Sequence, residues 1–145
     1  MPASTATHSC GTRLSWDTAG GTTYADIAEV IDLDGPSPKI PAADVSNLQS
    51  PNCYREKRPK MVDPGAFKAK MNFTKAQYGQ LLGQVRKYPI SFKISFPLIG
   101  TETTASSATW SGFIGGIGMA IPDDDRITND VDVEVSGPIT FTAGS

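Results

Sequence analysis

The sequence predicts a mainly β protein: a two-sheet antiparallel β-sandwich or flattened barrel with one flanking α-helix and one long loop. The 14 glycines and 11 prolines among 145 residues indicate frequent turns between short strands. Residues 66–73, 90–98 and 130–136 alternate apolar and polar side chains with the two-residue period of a half-buried strand. One stretch alone has helical spacing, and a single helix cannot cover a large sheet, so two sheets are expected to face each other. The length suits one domain spanning 1–145.

The first third of the chain predicts strands followed by a long connection. Residues 1–11 are small and polar, with no secretory signal, and are expected to form a flexible arm. A first strand is predicted over 13–16 and an extended segment over 24–33, ended by Asp-Gly-Pro at 34–36. Residues 36–64 carry six prolines and little alternation. They predict a long exposed loop that becomes ordered when it meets a neighbouring molecule, and a flexible surface loop is the alternative.

The clearest strands lie in the remainder of the chain. Residues 109–121 form a glycine-rich extended region, which is typical of bulges or of close approach between backbones. Gly-Pro at 137–138 is expected to end the strand over 130–136, with a short closing strand over 139–142. The inward-facing side chains of the alternating strands are predicted to be Phe67, Ala69, Met71, Phe73, Ile90, Phe92, Ile94, Phe96, Val131, Val133 and Val135.

The flanking helix is predicted over about 74–87. Tyr78, Leu81, Leu82 and Val85 recur at three- and four-residue spacing and make one apolar stripe. Two glycines inside this helix weaken it, so packing of the stripe is expected to hold it in place.

The charge is divided between two parts of the chain. Residues 55–93 hold ten bases and two acids, a net charge of +8, while the rest holds three bases and 13 acids, a net charge of −10. The basic part could bind nucleic acid, or it could meet the acidic surface of another copy. The acidic overall balance, with a pI near 5.3, favours contact between copies.

No chemical motif points to an enzyme, a cofactor or a metal. The single histidine, His8, lies in the predicted arm, where nothing would orient it for a catalytic triad. His8, Cys10 and Cys53 match no zinc spacing, and the aspartates at 123–125 lack the rest of a calcium loop. The two cysteines are expected to be reduced thiols, with a bond between them or between subunits left open. No apolar run reaches the roughly 20 residues of a membrane span.

One polar sheet face is a candidate channel lining. Lys68 and Lys70 project from the wet face of one strand, and Asp132 and Glu134 from that of another. Carboxylates would repel phosphates, whereas amines would retard DNA. Asp132 and Glu134 are therefore the lumen candidates, and ordinary solvated sheet faces are the alternative.

The order of features resembles the siphophage tail tube proteins, or major tail proteins, of bacteriophages, over residues 12–142. The segments that carry the resemblance are 26–36, 62–67, 68–73 with 76–85, 110–114 and 131–141. The resemblance implies hexameric rings stacked into a tube that surrounds a tape-measure protein and conducts DNA during ejection without binding it specifically. It also implies a structural, non-enzymatic virion protein of the phage tail, made in the host cytoplasm and without a membrane partner.

The resemblance further implies that the long loop contacts the adjacent ring, with 41–63 as the stacking segment. The candidates for this inter-ring contact are Tyr54, Arg55, Lys57, Arg58 and Lys60.

Three alternative functions are also compatible with the sequence. A β-sandwich module that binds carbohydrate or another ligand would use Trp16, Tyr54 or Trp110 as a stacking platform. A nucleic-acid binder would use the bases at 55–60. The inner tube of a contractile secretion system would share the tail-tube architecture.

Overall fold

The computed structural model describes residues 6–18 and 23–145, and strands dominate them, which confirms the mainly β class. Each helix or strand lies near a predicted element, except two short strands at 42–44 and 57–59 that lie within the predicted long loop. The elements are β1 Arg13–Asp17, β2 Ala25–Asp26, β3 Val30–Asp34, β4 Ala42–Asp44, β5 Lys57–Pro59, β6 Ala66–Asn72, α1 Lys75–Gly83, β7 Ile90–Ser95, β8 Ser107–Ala120 and β9 Thr128–Thr142, with a short 3₁₀ turn at Pro51–Cys53.

The two layers of the sandwich are two parts of one antiparallel sheet. Seven strands pair in the order β2-β1-β7-β8-β9-β6-β3, and β4 pairs with β5 separately. The rings of Phe67 on β6 and Trp110 on β8 lie 5.0 Å apart between centroids. Phe67 pairs with Val133, which pairs with Ile114, four residues from Trp110. In a flat sheet the Cα atoms of Phe67 and Trp110 would therefore lie about 17 Å apart, too far for their rings to touch. The sheet therefore folds over, and these rings meet across its interior.

The two longest strands make the fold possible by bending. The β8–β9 register shifts between Thr109 and Ser111 and again between Ile114 and Gly116. Gly137 on β9 has a φ of +84°, in the left-handed region that glycine enters without strain. The predicted strand end at 137–138 is therefore wrong: β9 bulges there and continues to Thr142, since a bulge tolerates the missing N–H of Pro138.

A single core fills the space between the layers. Phe67, Phe92 and Trp110 form its aromatic centre, with Phe92 and Trp110 stacked 6.2 Å apart between centroids. Its buried apolar residues are Leu14, Trp16, Ile27, Phe67, Ala69, Met71, Leu81, Ile90, Phe92, Ile94, Trp110, Ile114, Val131, Val133 and Val135. The inward positions predicted for the alternating strands are confirmed for all but Phe73 and Phe96, which are partly exposed.

The helix is shorter than predicted. It ends at Gly83 and the chain then turns, with Arg86 at a φ of +73°. Leu81 is buried in the core, but Leu82 and Val85 are exposed, so the predicted four-residue stripe is wrong at these two positions. Gln77 is buried instead, and its Oε1 accepts a hydrogen bond from the Ala28 backbone N–H at 3.2 Å. A polar side chain can face inward here because it ties the helix to the chain between β2 and β3.

The structure differs from the prediction in two further segments: 24–33, predicted as one extended segment, and 36–64, predicted as a loop. The extended segment over 24–33 is interrupted, because Glu29 adopts a φ of +56° in the turn between β2 and β3. The loop over 36–64 contains the β4–β5 hairpin. Of the predicted N-terminal arm, residues 1–5 lie outside the described residues and residues 6–11 are exposed. Among the described parts of the chain, no helix combines the length and apolarity that crossing a bilayer requires.

Candidate functional site

Residues 39–63, here called the hairpin arm, extend beyond the ends of β3 and β6 as a two-stranded ladder. A bridge between Lys39 and Asp63 closes the base of the arm. The Lys60 N–H donates to the Pro41 carbonyl at 2.8 Å, and the Val45 N–H donates to the Glu56 carbonyl at 3.0 Å. The arm is therefore held by its own backbone.

Polar side chains close the tip of the arm. The Ser50 hydroxyl donates to a Glu56 carboxylate oxygen at 2.8 Å and accepts from the Asn47 N–H at 3.1 Å. The Glu56 N–H donates to the Ser46 hydroxyl at 2.7 Å. These bonds explain why a segment with no apolar core of its own takes a defined shape.

One ion pair joins the two sides of the arm. Arg55 Nη1 donates to Asp44 Oδ2 at 2.9 Å. The Ser46 side chain, and then the Ser46 backbone N–H that donates to Asp44 Oδ1 at 2.9 Å, lower the pKa of Asp44 below its ordinary value, and Arg55 and Lys57 lower it further. The closed arm therefore favours the ionised form of Asp44.

The arm brings the five predicted inter-ring residues together on one exposed projection. Tyr54 is 75% exposed, and the four bases beside it are exposed as well. Sequence reasoning missed the apolar part of this surface. The exposed apolar side chains are Ile40, Val45, Leu48, Met61 and Val62. Their presence in a proline-rich segment without strand alternation was the signal that they were not core residues.

The outward face of β3, β6 and β9 is here called the charged face. Lys68 lies in register between Asp34 on β3 and Asp132 on β9. In the next row, Lys70 lies between Asp32 and Asp130. Directly opposite residues on neighbouring strands have Cβ atoms about 5 Å apart, so each amine is flanked by carboxylates on both sides.

Glu134 belongs to the same face, opposite Ala66. The face therefore carries five carboxylates and two amines, a net charge of −3. All of these residues except Glu134 line a groove of about 460 Å³. Asp132 and Glu134 share this face with Lys68 and Lys70, although the sequence analysis took the two pairs as alternative linings of a channel. The aspartates at 32, 34 and 130 were missed because their position beside β6 depends on strand pairing.

The layer that bears the charged face has two open edges. Within residues 6–18 and 23–145, β3 pairs only with β6. At the other side, β7 accompanies β8 only as far as Gly112, and from Phe113 to Ala120 the described partner of β8 is β9. Unpaired backbone donors and acceptors at a strand edge are a template for pairing with another chain.

The alternative stacking platforms are mostly inaccessible. Trp16 and Trp110 are 6% and 3% exposed, as core residues, so neither can stack on a carbohydrate. Tyr54 on the arm is the exposed member of the three.

Cys10 and Cys53 are exposed free thiols. In the part of the chain that the structure describes, no cluster of three or more potential metal ligands forms.

The class defined by these features is a single bent β-sheet sandwich with a helix on one side and a projecting hairpin. By sequence, no family model and no curated protein matches the chain. Its fold, however, is similar to that of chains in several solved particles.

One such chain comes from the tail of an empty gene transfer agent particle with C6 symmetry: TM-score 0.67, 18% identity, covering 90% of this chain and 95% of the other. A chain in the virion of a native gene transfer agent gives a TM-score of 0.69 at 16% identity, and the match covers 95% of this chain and 100% of the other. A chain in the six-fold baseplate of the anti-feeding prophage gives a TM-score of 0.71 at 12% identity, and the match covers 99% of this chain and 98% of the other. These likenesses define a shared fold over nearly the whole chain.

Proposed function

We propose that this protein is the structural subunit of a phage tail tube, assembling as hexameric rings that stack into a hollow conduit. The observation that carries the proposal is the likeness of fold, over nearly its full length, to a chain from a gene transfer agent tail of C6 symmetry and to a chain from a six-fold baseplate. The role is structural and non-enzymatic, and the protein acts in the virion tail after synthesis in the host cytoplasm.

The open edges supply the contact within a ring. When β3 of one copy pairs with the 113–120 part of β8 in the next, backbone groups that are unpaired in the single copy become hydrogen-bonded. The two edges are unlike surfaces, so the contact is head-to-tail, and a fixed rotation between copies closes it into a ring. Six copies then join their layers into one continuous barrel.

The charged face lines the lumen of that barrel. Its net charge of −3 per copy repels phosphate, and each lysine is flanked by carboxylates in the register described above. Asp132 and Glu134 are the lumen residues, together with the aspartates of β3 and β9. DNA then passes without specific binding, and a tape-measure protein fills the lumen before it.

The hairpin arm makes the contact between rings. It is exposed on both strands, carries the bases Arg55, Lys57, Arg58 and Lys60, and presents Tyr54 as an aromatic anchor. A projection without a core of its own gains stability when a neighbouring ring covers its apolar side chains.

Two kinds of tube fit this proposal. A long non-contractile siphophage tail is the first, from the resemblance of the sequence. The inner tube of a contractile secretion system is the second, favoured by the likeness of fold to a chain of an extracellular contractile injection system. The presence or absence of a sheath around the tube in isolated particles distinguishes them.

Negative-stain electron microscopy of the purified protein at rising concentration tests the proposal. We expect rings and then tubes with a central channel. A protein that stays monomeric at millimolar concentration, by sedimentation, and is missing from tail-bearing particles would overturn it. Saccharide-dependent changes in the NMR signals of Tyr54 in such a monomer would instead support the binding-module alternative.

A further inference from the structure

The hairpin arm and the β8–β9 turn lie at opposite ends of the same layer. On β6, Asn72 is in register with Thr128 at the start of β9, and Ala66 is in register with Glu134. The turn at residues 121–127, here called the acidic turn, therefore sits at the Asn72 end. The arm joins the layer at the Ala66 end, about 20 Å away along the strand.

The arm carries an uncompensated positive charge. Residues 39–63 hold five bases and three acids, a net charge of +2. All three acids accept hydrogen bonds inside the arm or at its base: Asp44 from Arg55 at 2.9 Å, Glu56 from the Ser50 hydroxyl at 2.8 Å, and Asp63 from the Gly65 N–H at 3.0 Å. Arg58 and Lys60 are exposed beside Met61, which is 90% exposed.

The acidic turn has the opposite composition. It holds Asp123, Asp124 and Asp125 with one base, Arg126, a net charge of −2. Arg126 is turned toward the sheet, where its Nε donates to the Asn72 side-chain oxygen at 2.7 Å. Ile121 and Ile127, at the two limits of the turn, are 69% and 37% exposed. The turn thus presents carboxylates between two exposed isoleucines.

We propose that the acidic turn is the docking surface for the hairpin arm of a second copy in the adjacent ring. This proposal rests on the proposed function, because it needs rings that stack. Both surfaces combine exposed apolar side chains with charge, the charges have opposite sign, and the two surfaces lie at opposite ends of one layer. Each copy therefore offers a donor end and an acceptor end, which is the arrangement that an open head-to-tail stack requires.

The arrangement also sets the polarity of the stack. Two rings that met through the same end would oppose arm to arm or turn to turn, with like charges in contact. Such contacts are electrostatically unfavourable, so every ring in the tube points the same way.

A charge exchange between the two surfaces tests the assignment. The first variant is Arg58→Glu with Lys60→Glu, chosen because Arg55 is engaged with Asp44 inside the arm. The second is Asp123→Lys with Asp124→Lys. We expect each to lower the yield of tubes by about tenfold or more, and the four changes together to restore it to within about threefold of the natural sequence. Tube length and number are measured by electron microscopy, and folding is checked by thermal unfolding.

The matched control combines the arm variant with Asp130→Lys and Asp132→Lys, the same charge change placed on the charged face. The yield of tubes should stay at or below that of the arm variant alone. If the natural sequence forms tubes but the four-residue exchange does not recover them, the acidic turn is not the acceptor, while the proposed function stands. If the natural sequence forms no rings at all, both proposals fail.

Discussion

The sandwich and the hairpin arm belong to one chain but are stabilised in different ways. The sandwich encloses a continuous apolar core, and Phe67 at its centre is completely buried. The arm buries almost nothing: Ser50 alone among residues 39–63 is classed as buried, and backbone ladders, hydroxyls and one ion pair hold its shape. Hydrophobic burial makes the sandwich stable as a single copy. The arm keeps its apolar side chains in water, as a surface does that awaits a partner.

The largest difference between the two regions should appear when an aromatic ring is removed from each. Phe67→Ala leaves a cavity beside Trp110 and should lower the free energy of unfolding by about 3–5 kcal/mol. The matched variant, Tyr54→Ala on the arm, should change it by less than about 0.5 kcal/mol. Chemical denaturation followed by tryptophan fluorescence measures both. Equal losses would show that the arm packs on the sandwich and that the two regions are not stabilised in different ways.

A smaller effect is expected at the junction between the two regions. Gly65 has a φ of +78°, and a Cβ built on it would lie 2.6 Å from the Ser37 carbonyl oxygen. Gly65→Ala should therefore destabilise the protein by about 1–3 kcal/mol. The control is Gly79→Ala in α1, where a Cβ meets nothing within 4 Å, and helix propensity should raise stability by about 1 kcal/mol or less. Thermal unfolding of the two variants gives the sign of each change, and a neutral Gly65→Ala would mean that the junction can move.

The smallest effect should be a local response of the arm to acid. The folded pKa of Asp44 is lowered from the ordinary value of 3.8, so its contribution to arm stability is fully present above pH 3.8. It is lost as pH falls through the lower folded pKa. Amide chemical shifts of Ser46 and Arg55, followed by NMR across that range, should report the opening, and Asp44→Asn should abolish their titration. Buried Trp16 and Trp110 should show no fluorescence change over the same step, and a coincident change would contradict the independence of the arm.

The charged face shows the limit of reasoning from strand patterns. Alternation along β6 and β9 correctly predicted that Lys68, Asp132 and Glu134 point away from the core, because successive side chains of a strand alternate between its two faces. It said nothing about which strand lies next to which. The rows that place Lys68 between Asp34 and Asp132 depend on β3 and β9 pairing with opposite sides of β6, across separations of 34 and 64 residues along the chain.

The arm and the helix show a related limit. Prolines and the lack of alternation predicted that 36–64 would be exposed, and most of it is. The hairpin within it arises from pairing between residues 39–45 and 56–63 and from polar bonds at its tip. The helical spacing of 75–87 predicted a helix, but its length was wrong because the turn after Gly83 redirects the chain toward β7. Neither outcome is encoded in the periodicity of a short window.

Local sequence was enough to predict the mainly β fold class, the face on which each regular strand buries its apolar side chains, and the exposure of the basic segment, because these follow from local spacing and from the cost of burying charge. Three features could be seen only in the folded chain: the two layers are one bent sheet, carboxylates flank both lysines of the charged face, and the arm and the acidic turn occupy opposite ends. These features depend on which distant strands pair and in what register, and pairing is settled only when the whole chain has closed around a common core.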